Sequence, residues 1–124
     1  MTIPIGALPE RVRQRLVDLE PYGENRMAVL MEDAGGVCEL LAEAGFAILG
    51  GDYWCPDSDG FERSYDVWAM PPRGASDWSD YVRESLRRAL RDLAVRGPNL
   101  APGSCVAIVV VEEAGYNALP SPPG

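Results

Sequence analysis

Apolar residues recur along this chain with two periods, one typical of helices and the other of strands. Spacings of three and four predict a helix over residues 10–20, closed by EPYG. A second helix begins at Glu32 or Asp33 and ends at Gly45. The third has the clearest apolar face, which consists of Trp78, Tyr81, Val82, Ser85, Leu86, Ala89, Leu90 and Leu93. The pattern therefore predicts about three helices.

Between the second and third helices, two strand-like segments flank a turn signal. Residues 46–55 and 61–70 are rich in β-branched and aromatic residues, and Asp59-Gly60 in the connection favours a tight hairpin turn. With Asp59 and Gly60 at the centre of the turn, Trp54 would lie opposite Tyr65. The same register would pair residue 53 with residue 66 and residue 51 with residue 68.

The remaining segments complete the predicted fold. Residues 104–113 form a strand that is apolar on both faces and is expected to pair with the hairpin, with residues 26–30 as a possible edge strand. We predict an α+β fold, in which a small antiparallel sheet (hairpin plus C-terminal strand) packs with about three helices on one side. Residues 1–115 are predicted to form one domain, and residues 116–124 a proline-rich, disordered tail.

Charge is distributed unevenly. The net charge is −8, and the segment from Glu32 to Asp66 holds nine carboxylates against one arginine, Arg63, while the rest of the chain balances. Such a segment repels phosphate backbones and attracts a basic protein, so we predict a basic protein partner and no nucleic acid. The longest apolar run, residues 106–111, is too short to cross a membrane, so a cytoplasmic protein without membrane contact is predicted.

The chain contains no histidine, the commonest general base and metal ligand. Without histidine, Ser/His/Asp and Cys/His triads are excluded. Asp57, Asp59 and Gly60 resemble part of a calcium loop, but Glu62 comes too early to supply the bidentate ligand. No metal and no cofactor is therefore predicted.

Three motifs lie in the hairpin and the third helix, namely AILGGDYW, YDVW and WSDYVRESLRRAL. Together they resemble bacterial immunity-protein family 40, which is found beside toxins of polymorphic toxin systems, and the resemblance extends over roughly residues 26–95. The matching positions are Gly50, Gly51, Asp52, Tyr53, Tyr65, Asp66, Trp68, Trp78, Tyr81, Val82 and Ser85. The resemblance implies a protein that binds and neutralises a cognate toxin in the producing cell without catalysis.

With this role, we expect the hairpin to cover the active surface of a basic toxin domain. The expected contacts are its acidic residues with two aromatic anchors, namely Asp52, Asp57, Asp59, Glu62 and Asp66 with Tyr53 and Trp68. Other roles for these residues are also compatible with the sequence. The hairpin aromatics could fill the core, and Asp52 and Asp66 could be buried and hydrogen-bonded to backbone donors. The two carboxylates could also serve a small hydrolase-like enzyme, or the hairpin could mediate self-association.

Overall fold

The structure, a computed structural model, describes residues 3–22, 26–58 and 60–118, except for the side chains of Ile5, Tyr22, Tyr65 and Asp66. It confirms the α+β class. Its helices are α1 (Glu10–Arg13), α2 (Met31–Glu43), α3 (Trp78–Arg96) and α4 (Glu113–Asn117). Its strands are β1 (Val17–Asp18), β2 (Met27–Leu30), β3 (Ala47–Asp57), β4 (Gly60–Ala69) and β5 (Cys105–Val111).

The strands form one curled antiparallel sheet in the order β1-β2-β5-β3-β4. The predicted pairing of the C-terminal strand with the hairpin is confirmed, since β5 pairs with β3 along most of its length. The segment 26–30 also joins the sheet, because Val29 and Leu30 of β2 pair with Val106 and Cys105. The sheet is larger than predicted, as β1 adds a fifth strand beyond β2.

The first predicted helix is much shorter than its apolar spacing indicated. It ends at Arg13, and the chain then forms β1, in which Val17 lies opposite Ala28. Leu19 is fully buried and packs with Trp54 and Ala28 on one face of the sheet. Val12 and Leu16 instead pack against a different and larger cluster, the main core. Tertiary burial on two different surfaces therefore produced the spacing that resembled one helix.

Apolar clusters cover both faces of the sheet. The main core lies between the sheet and helices α2 and α3, and its largest buried side chains include Leu41, Ile48, Tyr53 and Ile108. A second, smaller cluster around Trp54 covers the other face. Because strands alternate their side chains, the central β5 is buried on both faces, as its apolar sequence predicted.

The hairpin has a different register from the predicted one at its turn. Asp57 pairs with Gly60, so the turn is centred one residue earlier, and Trp54 lies opposite Arg63 instead of Tyr65. An irregularity between Asp52 and Trp54 then shifts the pairing by two residues. The predicted pairing of residue 51 with residue 68 is consequently correct, although the turn from which it was derived is not.

The C-terminal segment contributes to the fold as far as it is described. Tyr116, placed in the predicted tail, lies in α4, and its ring centroid is 5.6 Å from that of Trp78 and 5.4 Å from that of Tyr81. Its hydroxyl oxygen accepts a hydrogen bond from the Arg73 N–H at 2.6 Å. Helix α4 is thereby fixed against the start of α3, and the rest of the predicted tail, residues 119–124, lies outside the described residues.

Two buried thiols should make the fold sensitive to alkali. Burial raises the pKa of Cys38, and likewise that of Cys105, from the ordinary value of 9.0 to about 12. Since both pKa values are raised in the fold, their contribution to stability is complete below about pH 9 and is lost as the pH rises toward 12. Each thiol should lower the free energy of unfolding by roughly 1.4 kcal/mol per pH unit in that window.

Urea unfolding of the reduced protein at several pH values between about 8 and 11 would measure this slope. Cys38→Ala should flatten it, as should Cys105→Ala, whatever each substitution costs in absolute stability. Equal slopes for the wild type and both variants would contradict the assignment.

Candidate partner-binding surface

The seven residues predicted to contact a partner fall into three groups. Asp57 and Glu62 are exposed near the end of the hairpin. Asp52 and Tyr53 are buried, with 4% and 0% of their surface exposed, and Trp68 is half-buried. The third group is not described at side-chain level. Asp59 lies outside the described residues, and for Asp66 the structure describes the backbone alone.

Asp52 lies in a buried charge cluster. Its Oδ2 accepts hydrogen bonds from the Arg26 guanidinium at 3.0 Å and from the Trp54 indole Nε1 at 3.1 Å, and Arg63 Nε lies 3.2 Å away. The Asp52 side chain is 5% exposed, whereas the side chains of Arg26 and Arg63 are 18% and 43% exposed. Asp52 thus joins the segment before β2 to both strands of the hairpin. Asp52 is therefore buried and is not a surface contact. Its hydrogen-bond donors are side chains, whereas the alternative considered from the sequence had backbone donors.

Tyr53 faces the opposite side of the sheet and joins the hairpin to α3. Its hydroxyl donates a hydrogen bond to Asp92 Oδ2 at 2.6 Å, and Asp92 also forms an ion pair with Arg96 at 3.1 Å. Burial, together with the hydrogen bond to the Asp92 carboxylate, raises the pKa of Tyr53 far above the usual value of a phenol. Its full burial makes Tyr53 part of the core and not an exposed anchor.

The paired glycines provide the space in which Trp68 lies. A Cβ on Gly51 would come within 2.4 Å of the Trp68 ring, and one on Gly50 within 2.3 Å of the Trp68 carbonyl oxygen. The Trp68 ring centroid is also 5.8 Å from that of Tyr53. The absence of side chains at these two positions therefore permits the close approach of a large ring and of the opposite backbone.

Ser85, another position of the motifs, holds the sheet to α3. Its hydroxyl is completely buried, accepts a hydrogen bond from the Ile48 N–H at 2.9 Å and donates one to the Val82 carbonyl at 2.7 Å. A serine within the apolar face of a helix therefore has a structural role here. The described motif residues of the hairpin and α3 are mostly interior contacts that set the hairpin's geometry.

Three partners of these motif residues escaped prediction from the sequence. They are Arg26 and Arg63, which bind Asp52, and Asp92, which binds Tyr53. Arg63 carried one available signal, since it is the single cation among nine carboxylates in the acidic segment. Arg26 and Asp92 are 26 and 39 residues from their partners, and only the tertiary fold brings them together.

Two carboxylates predicted as contacts are exposed near the end of the hairpin. Asp57 and Glu62 lie on opposite strands, two register positions apart, and both are exposed. The strands beneath them are held by the Asp52 cluster and by the core contacts of Tyr53. The hairpin thus presents carboxylates on a rigid support, which is suited to a preformed complementary surface.

Within the described part of the chain, no helix is long and apolar enough to cross a membrane. Among the same residues, no group of three or more histidine, cysteine, aspartate or glutamate side chains could hold a metal ion.

The described motif residues are mostly interior, whereas Asp57 and Glu62 expose their carboxylates at the hairpin end, an arrangement suited to contact with a basic surface. Comparison with protein families specifies the class, since residues 18–97 match the family described as Immunity protein 40. The match covers more than half of the chain, which therefore belongs to the Immunity protein 40 family. A search of curated proteins found no match.

Proposed function

We propose that this protein binds a cognate toxin and neutralises it by covering its active surface, without catalysis of its own. Membership of the Immunity protein 40 family is the observation that carries the proposal. The exposed acidic end of the hairpin supports it, because carboxylates on a rigid support complement a basic surface and speed association with it. The toxin domain is accordingly expected to be basic.

The contact surface that we propose is narrower than the seven residues named from the sequence. Asp57 and Glu62 contribute their exposed carboxylates, and Asp59 belongs to the same acidic turn by sequence. Asp52, Tyr53 and the Gly51–Trp68 contact support this surface from within. The enzyme alternative loses support because the Asp52 carboxylate is 5% exposed and already has three side-chain partners, which leaves a substrate little access.

The surface can be tested by charge reversal. The triple variant Asp57→Lys, Asp59→Lys and Glu62→Lys should bind the cognate toxin domain roughly a hundred-fold more weakly, because three attractive contacts become repulsive. Calorimetric titration would measure the affinity, and growth of cells that express the toxin would measure protection.

A matched control keeps the change in charge but moves it away from the hairpin. The variant with Glu10→Lys, Glu39→Lys and Glu112→Lys alters three exposed carboxylates on other elements and should still protect cells. Full protection by a folded hairpin variant would remove the hairpin end from the interface. Failure of the wild-type chain to protect would instead contradict neutralisation of that toxin.

A further inference from the structure

A groove lined by arginines, in contrast to the acidic end of the hairpin, lies between the end of β4 and the second half of α3. It has a volume of about 560 Å³, with Trp68 and Ala69 on the strand side. Arg88, Arg91 and Val95 line it from the helix. The groove belongs neither to the Asp52 cluster nor to the acidic end of the hairpin.

The groove is positively charged, although the chain as a whole carries −8. Among the described lining residues, Arg88, Arg91 and Arg96 stand against one carboxylate, Asp92, which pairs with Arg96 and accepts a hydrogen bond from Tyr53. Arg91 makes no ion pair with any described residue, and Arg88 shares the Glu84 carboxylate with Arg87. The wall of the groove therefore retains an excess of cationic donors for an outside anion.

Apolar surface accompanies this charge. In the described ranges, the wall residue Val95 is 65% exposed, and the half-buried Trp68 lines the strand side of the groove. In those ranges the buried indole Nε1 of Trp68 also has no hydrogen-bond acceptor. A buried donor without an acceptor is unfavourable, so an occupant whose carbonyl reached this nitrogen would stabilise the complex.

The backbone next to the groove is also available. Strand β4 is the last strand of the sheet, and its outer edge pairs with no other strand among the described residues. Edge strands present unpaired N–H and C=O groups, to which an extended peptide can add as a further strand. The groove thus combines a strand edge, apolar surface and cationic side chains.

We propose that this groove binds an acidic, extended segment of a protein partner. The segment lies beside Val67 and Ala69 as an additional strand, its apolar side chains contact Trp68 and Val95, and its carboxylates pair with Arg88 and Arg91. This goes beyond the proposed toxin contact, which uses carboxylates of this chain against a basic surface. A polypeptide fits better than a nucleic acid, because its backbone can pair with the outer edge of β4 and its aliphatic side chains can contact Trp68 and Val95.

The proposal can be tested with a defined probe, a fluorescein-labelled peptide of about eight alternating glutamate and valine residues. It should bind the full chain, and backbone amide signals of residues 67–69 and 91–99 should shift in nuclear magnetic resonance spectra. Arg88→Glu with Arg91→Glu should weaken binding at least about tenfold. The matched pair Arg83→Glu with Arg87→Glu makes the same change in charge on the same helix, away from the lining residues, and should weaken it less than about twofold.

Four results would overturn the proposal. They are absence of binding by the peptide, equal losses for the two arginine pairs, tighter binding of oligothymidylate than of the peptide, or a self-associated chain that Arg88→Glu with Arg91→Glu dissociates. The third would assign the groove to single-stranded nucleic acid, and the fourth to a second copy of the chain. Because the probe contains no toxin, none of these results bears on the proposed neutralising function.

Discussion

Replacing Asp52 with alanine should lower the free energy of unfolding by about 3 kcal/mol, the low end of what loss of one partner from a buried ion pair costs. The substitution leaves Arg26, Arg63 and the Trp54 indole without the carboxylate that they share. The low end applies because Arg63 is 43% exposed, so water can partly solvate its charge. Thermal or urea unfolding would measure the change.

Two further variants separate charge from hydrogen bonding. Asp52→Asn keeps one acceptor oxygen for the Trp54 indole but removes the charge, so its effect should lie between those of the wild type and Asp52→Ala. Glu62→Ala removes an exposed carboxylate of the same hairpin and should change stability by no more than about 0.5 kcal/mol. An effect of Asp52→Ala as small as that of Glu62→Ala would show that the buried cluster does not hold the hairpin.

The fold class and most elements follow from the sequence because their signals are local. The apolar face of α3 predicted its burial, and Gly45, at which α2 was expected to end, has a positive φ of 90°. The unbroken apolar sequence of β5 likewise predicted a strand covered on both faces. Each of these features depends on residues that are neighbours in the chain.

Features that depend on distant pairing could not be predicted in this way. Residues 64–66 of β4 lie opposite Tyr53 alone, and this irregularity cancels the error in the predicted turn. Nothing in the composition of that strand marks it. The pairing of Gly51 with Trp68 was therefore predicted correctly from an incorrect turn.

For the candidate contact residues, too, the sequence predicted what depends on local pattern and missed what depends on distant partners. Type and spacing identified Asp52 and Tyr53 as important, but they do not tell whether a polar group faces solvent or the core, because that depends on its partners. One partner of Asp52, Trp54, is close to it in the sequence. The other two, Arg26 and Arg63, come from the segment before β2 and from β4. A buried role for the acidic motif residue was one of the alternatives, whereas its arginine partners were not foreseen.

Gly51→Ala should destabilise the protein by about 2–3 kcal/mol, since its Cβ would lie 2.4 Å from one Trp68 ring atom and 2.5 Å from another. Gly50→Ala should cost at least as much, because there the clash, at 2.3 Å, is with a backbone oxygen that cannot rotate away. Gly36→Ala is the matched control. Gly36 is exposed in α2 with no atom within 4 Å of a Cβ, so alanine should stabilise the helix by about 0.5–1 kcal/mol.

A double-mutant cycle can assign the cause of these losses. In a Trp68→Ala background the ring is absent and the 3.2 Å approach of the new Cβ to the Ala107 oxygen remains, so Gly51→Ala should cost no more than about 1 kcal/mol, a coupling of roughly 1.5 kcal/mol between the two positions. Gly50→Ala should keep its full cost in that background, because alanine at position 68 retains the carbonyl oxygen that the new Cβ meets. Equal rescue of both glycine variants, or of neither, would contradict a hairpin in which one glycine accommodates the indole and the other the backbone.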